Sequence, residues 1–490
     1  MKLSELFRKV PQFSNHIIWN DSEITGITYD SRKVREGNIF FAVRGLKDDG
    51  SKYIHEAIRK GARIVFSEDE SGHTDSAEII KAENIRKLMA LVSREFYNKN
   101  SNKIKIIGIT GTNGKTTTAY LIRFFLEKAG YRTGLIGTID YQIGEFRMNS
   151  VLTTPDSPEM NMMIGEMTDK KTDFCIMEVS SIALVMDRVY GLKFDSAVFT
   201  NLTSEHLDFH KNMENYFESK KILFDGLGEN NFAVSNKDDE YGEKILTGTK
   251  ALKKYYSVKC SSDFKALNEK LTIDGIEFDA LYKNEAYRFR SQLAGRFNIY
   301  NIIASVTSVL NYDIDISFLQ QTLPDFQEVS GRFNRIKLHN GAVAVVDYSH
   351  TSDSLKKAIE TAREIVNSEN KNGRVITVFG CGGNKDRTKR PVMGEYATAL
   401  SDYSIITSDN PRFEDPMKII DEILAGISSK KNFEVIENRE DAIRRGIEIS
   451  EGNDILLICG KGHETYQEIN GVRAHFDDRE IIAKYSAVSD

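Results

Sequence analysis

Cysteine, proline and tryptophan are scarce in this 490-residue chain, which has four Cys, seven Pro and one Trp. Cys175, Cys260, Cys381 and Cys459 are widely spaced, and three of them lie in or beside apolar runs. Neither a disulfide framework nor a thiolate metal site is expected; they read as reduced, mostly buried thiols of a cytoplasmic protein. No apolar run approaches ~18 residues, and Met1-Lys2-Leu3-Ser4-Glu5 opens no apolar stretch, which argues against membrane spans and signal peptides. A basic excess is missing too: 66 Lys and Arg face 72 Asp and Glu, a net charge of −6, so there is no electrostatic footprint for nucleic acid. Internal repeats and low-complexity tracts are absent, and Asn367-Ser368-Glu369-Asn370-Lys371-Asn372-Gly373 reads as a solvated loop. What remains, 40% apolar and 28% charged residues, is ordinary globular composition in a chain too long for one core. At about 150 residues per domain, roughly three domains are expected.

The most informative stretch is Gly108-Ile109-Thr110-Gly111-Thr112-Asn113-Gly114-Lys115-Thr116-Thr117, between the apolar run Ile104-Lys105-Ile106-Ile107 and an amphipathic segment. A helix start leaves backbone N–H groups unpaired, glycines let the backbone approach a polyphosphate, and a lysine neutralises it. The arrangement reads as a cradle for ATP or GTP, with Thr116 placed to hold magnesium. The helix is expected from Thr116 to Ala129, with Ala119, Leu121, Ile122, Phe125, Leu126 and Ala129 on one side and Gly130 as its C′ residue. Ile109 stands where the strict G-x-x-x-x-G-K-[ST] pattern has its first glycine, a register that argues against ordinary GTPases and motors. Asn236-Lys237-Asp238-Asp239 and Asp225-Gly226-Leu227-Gly228 satisfy the guanine-reading N-x-x-D and the D-x-x-G patterns. They lie almost adjacent in a polar stretch, whereas a GTPase delivers them from separate strands, so surface turns are expected there.

Short strands and helices alternate up to a polar linker at Asn98-Lys99-Asn100-Ser101-Asn102. From Lys103 the order apolar strand, turn, amphipathic helix repeats, which implies a mainly parallel sheet covered by helices. A second boundary is placed near Gly331-Arg332-Phe333, after which strands are expected at Val343 to Val346, Val375 to Phe379, Tyr403 to Thr407 and Ile455 to Cys459. The reading is an α/β protein of three domains, 1–102, 103–331 and 332–490, whose ligands bind at the carboxyl ends of the strands. Glu178 directly follows Phe174-Cys175-Ile176-Met177 and is a candidate magnesium ligand, the alternative being a cap on the turn Val179, Ser180, Ser181. His206 follows the strand end Ala197-Val198-Phe199 and Thr200-Asn201, and alone suits a structural role; Lys220, by spacing alone, is a lysine on a helix face.

Taken in order, Gly111-Thr112-Asn113-Gly114-Lys115-Thr116-Thr117, Met177-Glu178-Val179-Ser180-Ser181, Thr200-Asn201-Leu202 with His206-Leu207-Asp208, and Gly331-Arg332-Phe333 resemble the Mur ligase family. Asp409-Asn410-Pro411-Arg412 and Gly460-Lys461-Gly462-His463-Glu464 narrow the resemblance to ligases that add the third amino acid of the peptidoglycan stem peptide. The similarity spans nearly the whole chain. It implies an N-terminal uridine-nucleotide-binding α/β domain, a central P-loop ATPase-like domain and a C-terminal Rossmann-like α/β domain in a cytoplasmic monomer. The implied reaction transfers the γ-phosphate of ATP to a carboxylate of UDP-N-acetylmuramoyl-L-alanyl-D-glutamate, and an incoming amine attacks the resulting acyl phosphate.

The resemblance also implies roles for particular residues. ATP would be held by Gly111, Thr112, Asn113, Gly114, Lys115, Thr116 and Thr117, with Asn301 near the adenine and Arg332 and Asp347 completing the site from the third domain. Two magnesium ions would be bound by Thr116, Glu178, His206 and a carbamate formed from carbon dioxide on Lys220, for which Lys221 is the rival. Lys115, Lys220, His206 and Glu178 would be the catalytic set. Tyr29, Ser31, Leu46, Lys47, Asp48, Thr153, Thr154, Ser180 and Arg188 would bind the UDP-muramoyl-dipeptide, although Leu152, Ile182 and Met186 depart from residues common in the family. Lys385, Asp409, Asn410, Pro411, Arg412, Gly460 and Glu464 would bind the added amino acid. An arginine grips a carboxylate bidentately and a glutamate pairs with an ammonium, so this set suits a diamino-dicarboxylic acid such as meso-diaminopimelate or lanthionine. Lys385 stands where many diaminopimelate enzymes carry arginine, which keeps lysine as an alternative. A folylpolyglutamate-synthase-like ligase and, outside enzymes, a P-loop nucleotide switch are the competing readings.

Overall fold

Apolar runs decide where the sheets of this α/β protein form. The computed structural model describes residues 1–13, 21–45, 48–69, 71–97, 103–368, 372–428 and 432–486. The expected linker at 98–102 and two expected pocket residues, Leu46 and Lys47, lie outside these. A five-stranded sheet spans residues 26–81; Gly26–Thr28, Asn38–Phe41, Ile64–Ser67 and Glu78–Lys81 run parallel, and Gly72–His73 pairs antiparallel at its edge.

The second sheet has eleven strands and carries the phosphate loop. Its centre runs Phe232–Asn236, Ser196–Phe199, Lys105–Thr110, Phe174–Glu178, Thr133–Ile136, all parallel, and antiparallel hairpins extend it at both edges. A parallel sheet is buried on both faces, so its strands are apolar throughout. Alternation sorts the side chains: Ile107, Ile109, Ile176 and Val198 pack against the helices Lys115–Lys128 and Arg296–Val309, whereas Ile106, Met177, Ala197 and Phe199 face Met160, Met163 and Leu223. The helix expected from Thr116 to Ala129 runs Lys115–Lys128 with Ala129 as C-cap. Gly130 takes φ 89°, and the bonds Gly130 N–H to Glu127 O and Tyr131 N–H to Leu126 O close a Schellman motif.

The third sheet has six strands. Asn334–Lys337 pairs antiparallel with Val343–Asp347, followed in space by the parallel strands Ile455–Cys459, Val375–Phe379, Tyr403–Ile406 and Phe433–Val435. The helix Ser352–Ser368 covers one face through Leu355, Ile359 and Ala362, and Arg439–Ile449 covers the other through Ala442, Ile443 and Ile447. A separate hairpin, Tyr466–Ile469 with Val472–His475, stands beside the carboxyl ends of this sheet.

The turn expected at 236–239 forms at Lys237 and Asp238, but Asn236 is the buried end of a strand and not a surface residue. Asn236 is buried and donates to Thr200 O at 2.9 Å, and Asp239 accepts from Leu202 N at 3.0 Å. Asp238 accepts from the backbone of Val258, Lys259 and Cys260. The motif is a brace behind the Thr200–Leu202 segment, because short polar side chains at a strand end satisfy the backbone of neighbouring turns. The cysteines are all free, with Cys175, Cys381 and Cys459 buried and Cys260 exposed.

Phe125 is fully buried between the phosphate-loop helix and the sheet. Phe125→Ala is expected to destabilise this core by about 3–5 kcal/mol. Urea unfolding followed by circular dichroism checks it, and an unchanged midpoint would contradict the packing described.

Candidate active site

The strand Lys105–Thr110 ends at the phosphate loop, and register places its neighbours' ends alongside: Glu178 is level with Ile109, and Phe199 with Thr110. The loop is braced by the adjoining segment. Thr112 N–H donates to Asn201 O at 2.8 Å, Asn113 N–H to Asn201 Oδ1 at 3.0 Å, and Thr200 Oγ1 donates to Asn113 O at 2.6 Å. Gly114 takes φ 87°, and a Cβ there would stand 2.4 Å from Asn301 Oδ1. Asn301 is thus buried directly behind the loop, donating to Asn298 Oδ1 at 2.9 Å.

Thr116 Oγ1 donates to Glu178 Oε2 at 3.0 Å. Glu178 is the last residue of its strand and fully buried; Thr138 donates to it through both its N–H (2.8 Å) and its hydroxyl (2.9 Å). A buried carboxylate with these neutral donors, next to a loop threonine, is an oxygen set that suits a hard divalent cation such as magnesium. Among the described residues no three His, Cys, Asp or Glu side chains converge as a metal-holding group, so hydroxyl, water and phosphate oxygens would have to complete the coordination.

Two lysines meet on the same loop carbonyl. Lys115 Nζ donates to Gly111 O at 2.9 Å and Thr112 O at 2.7 Å, and Lys220 Nζ reaches the same Gly111 O at 3.0 Å from the helix Met213–Asp225. Lys220 is buried, over the ring of Tyr216. Burial, then the charge of Lys115, holds the Lys220 amine well below the ordinary lysine range, with Glu205 opposing. Lys221 instead pairs with Asp225. Glu205 lies 3.8 Å from His206 and 4.0 Å from His350. Burial works to raise its carboxyl, but His206, Lys115, His350 and Lys220 together bring it below the usual value. His206 adopts φ 56° and its side chain is about half exposed, next to Glu205.

The third sheet contributes Arg332, whose Nη2 donates to Thr116 Oγ1 at 3.1 Å and whose guanidinium lies 4.8 Å from the centre of the Tyr348 ring. Asp347 does not touch the loop; it accepts from Phe333 N at 2.7 Å and from Ser349 Oγ, and so fixes the turn that carries Arg332. Gly331 in that turn has φ 67°, and a Cβ would stand 2.0 Å from His463 N. Tyr348 also meets the ring of His463 at 4.9 Å, which links the phosphate loop to the 460–464 turn. Asp353, at the start of the helix Ser352–Ser368, accepts on one oxygen from Asn113 Nδ2 (3.0 Å), Thr203 Oγ1 (2.8 Å) and Lys357 Nζ (2.8 Å).

The expected precursor-binding residues assemble in part. Thr154 accepts from Ser180 N and donates to Glu178 O, Arg188 donates to Thr154 O and pairs with Asp156 at 3.1 Å, and Tyr29 reaches Asp156 from the first sheet at 3.3 Å. Thr153 touches Thr138, beside Glu178. Ser31 is buried and its carbonyl accepts from Lys60, while Asp48 pairs with Tyr53.

Beyond the third sheet, Asp409, Asn410, Arg412, Gly460 and Glu464 come together. Asn410 Nδ2 donates to Glu464 Oε2 at 2.7 Å, a Cβ on Gly460 would stand 2.4 Å from Asp409 Oδ2, and Arg412 Nη1 donates to Gly383 O at 2.7 Å. Asp409 Oδ2 is buried and without a hydrogen-bond partner. Burial and the charge of Asp409 raise the carboxyl of Glu464, partly offset by Lys461. Pro411 O accepts from Glu414 N, and Lys385 is exposed on the loop that Arg412 anchors. Sequence reasoning missed Thr138, Glu205, Tyr348, Asp353 and His463; Glu205 and His463 stand beside residues it did single out, but nothing local marks Asp353.

A phosphate loop on a parallel sheet, a buried carboxylate at its threonine, and an arginine brought to that threonine from a second α/β sheet define a multi-unit phosphate-loop protein. Residues 23–97 match the Mur ligase family catalytic domain, 109–309 the Mur ligase middle domain, and 331–462 the glutamate ligase domain of Mur ligases. The chain is 46% identical over 468 residues (94% of this chain, 95% of the relative) to UDP-N-acetylmuramoyl-L-alanyl-D-glutamate–2,6-diaminopimelate ligase of Clostridium botulinum. It is 40% identical over 489 residues, 98% of each chain, to the Clostridium tetani protein of that name. A solved structure of a ligase so named is similar with a TM-score of 0.71 at 30% identity, covering 99% of both chains. The chain belongs to the Mur ligase family.

His210 is buried with Nε2 2.9 Å from Ser181 Oγ. Burial first, then the charges of Lys220 and His206, push its imidazole down from 6.5 to about 4. The unfolded chain therefore takes up this proton first as pH falls: the contribution to stability is complete above about 6.5 and is lost on acidification toward 4. Imidazole NMR is expected to show His210 neutral between about pH 7 and 5; a midpoint near the ordinary histidine value would contradict this.

Proposed function

We propose that the chain is the ATP-dependent, ADP-forming ligase that adds meso-diaminopimelate, or a close diamino-dicarboxylic analogue such as lanthionine, to UDP-N-acetylmuramoyl-L-alanyl-D-glutamate in peptidoglycan precursor synthesis. The observation that carries it is the run of contacts from Thr116 through Arg332 and Tyr348 to His463, which ties the phosphate loop to the Asp409–Arg412 and Glu464 cluster. A nucleotide switch has no use for that second cluster. The names of the relatives favour this reading over a folate-type ligase. Three functional units, 1–102, 103–331 and 332–490, bind the uridine precursor, ATP and the amino acid respectively. No helix among the described residues is long and apolar enough to cross a membrane, and we take the enzyme to act as a cytoplasmic monomer on small-molecule substrates.

In this mechanism Lys115 and the loop N–H groups hold the triphosphate, and Arg332 meets the transferred phosphoryl group from the far side. Thr116, Glu178, His206 and a carbamate on Lys220 would hold two magnesium ions, which when bound supply the positive charge that lets a phosphate and a carboxylate approach. Lys220 is suited to that modification because its buried amine loses a proton readily. Its nitrogen attacks carbon dioxide, a proton leaves, and the resulting anion relieves the repulsion between Lys220 and Lys115. The carboxylate of the D-glutamate takes the γ-phosphoryl group and ADP departs; the acyl phosphate is then attacked by the incoming amine, and phosphate leaves. Tyr29, Thr154, Ser180 and Arg188 orient the precursor. Arg412 grips a carboxylate of the added amino acid and Glu464 its ammonium.

ADP release and product mass, measured with ATP, magnesium and the UDP-dipeptide, test the reading. Product is expected with meso-diaminopimelate or lanthionine; product with L-lysine alone would keep the ligase and overturn the Arg412 pocket. Lys220→Ala is expected to lower turnover by roughly 10²-fold or more. Labelled bicarbonate should give the wild-type protein a carbamate carbon NMR signal absent from this variant, and no signal in the active enzyme would refute the modification.

A further inference from the structure

Lys461 follows the strand Ile455–Cys459 and Gly460. Its side chain is wholly buried. An ammonium has three N–H donors and no acceptor, and removing it from water is expensive unless each donor is matched. Lys461 Nζ has three acceptors: the carbonyl of Tyr466, Asn410 Oδ1 at 3.3 Å and Glu464 Oε2 at 3.5 Å. Asn410 completes the network, donating to Glu464 Oε2 at 2.7 Å and accepting from Glu468 N at 2.9 Å. The buried charge is therefore joined to the two side chains, Asn410 and Glu464, that the proposed amino-acid pocket uses, and to the hairpin that opens at Tyr466. Arg439, equally buried, makes its hydrogen bonds to Asp478 and to Cys459 O and none to Asn410 or Glu464 among the described residues.

We propose that Lys461 is a positioning residue for the added amino acid, holding the Glu464 carboxylate charged and aimed at the ammonium group of the incoming diamino acid. The inference rests on the function proposed above. The groups facing Glu464 are Asp409, Lys461 and Asn410 with the phenols of Tyr348 and Tyr466. Asp409 and burial favour the neutral carboxylic acid, and Lys461 is the one cation among these groups. Without it Glu464 takes up a proton at higher pH and loses its attraction for an ammonium, while the nucleotide and precursor sites, built from other elements, keep their groups.

The test is a double-mutant cycle of Lys461→Met, Glu464→Gln and both together, read as KM for each of the three substrates and as kcat/KM for meso-diaminopimelate against pH. Lys461→Met is expected to raise KM for meso-diaminopimelate about tenfold or more, with those for ATP and UDP-dipeptide within about twofold. The acid limb of its pH profile is expected to move upward, and the Glu464→Gln background is expected to abolish the effect of Lys461→Met. An unchanged KM and profile in a folded Lys461→Met enzyme would overturn the proposal, as would additive losses. Should Lys461→Met alone fail to fold, the double variant, in which Glu464 is not left as a buried carboxylate stripped of its cation, carries the test. A KM equal to that of Glu464→Gln supports the proposal, and one raised further overturns it. Wild-type enzyme that forms no product with any amino acid would instead overturn the function itself.

Discussion

Two lysine side chains share one carbonyl oxygen, Gly111 O, at the start of a helix and largely away from water. Everything near the phosphate loop answers to that concentration of positive charge. A helix N-terminus adds to it through its unpaired N–H groups, and Arg332 adds a third cation from another sheet. Against these stand the buried Glu178 and the half-buried Glu205, whose carboxyl burial works to raise but His206, Lys115, His350 and Lys220 together hold below its ordinary range. A site poised this way attracts polyanions and favours any chemistry that converts one of its own cations into an anion. The triphosphate would meet the first requirement, and the proposed carbamate on Lys220 the second.

The third sheet matters to the nucleotide through a turn more than through any single contact. Arg332 can reach Thr116 because Gly331 admits the left-handed backbone and the close approach of His463, and because Asp347 holds the next N–H. The same turn packs on the residues leading to Glu464. One short segment therefore lies between the phosphate loop and the Glu464 cluster.

The fold was legible wherever burial imposes a simple pattern. Phe174–Glu178, Val375–Phe379 and Ile455–Cys459 read as strands because both faces of a parallel sheet demand apolar side chains, and Gly130 read as a helix end because only a residue tolerant of positive φ closes a Schellman motif. The phosphate loop, Thr116 and Glu178 were legible for a related reason: their chemistry is concentrated in a few consecutive residues. Lys220 was not, since a buried lysine and a solvated one have the same spacing on a helix. Asn236 and Asp239 were misread because the backbone they brace is remote in sequence. Asn301 was quoted only through the family resemblance, and its side chain meets Gly114 and Asn298 directly behind the phosphate loop. Asp353 had no local mark, since its partners Asn113 and Thr203 come from a different sheet.

That last contact has a pharmacological consequence. One oxygen of Asp353 receives a loop amide, a threonine hydroxyl and a lysine from its own helix, across the seam between two units of the chain. The seam is polar and small, and its Asn113 side belongs to the phosphate loop itself. A compound wedged between Asn113 and Asp353 would part the two units and pull on the phosphate loop in the same movement, so one small polar contact would couple inhibitor binding to nucleotide binding.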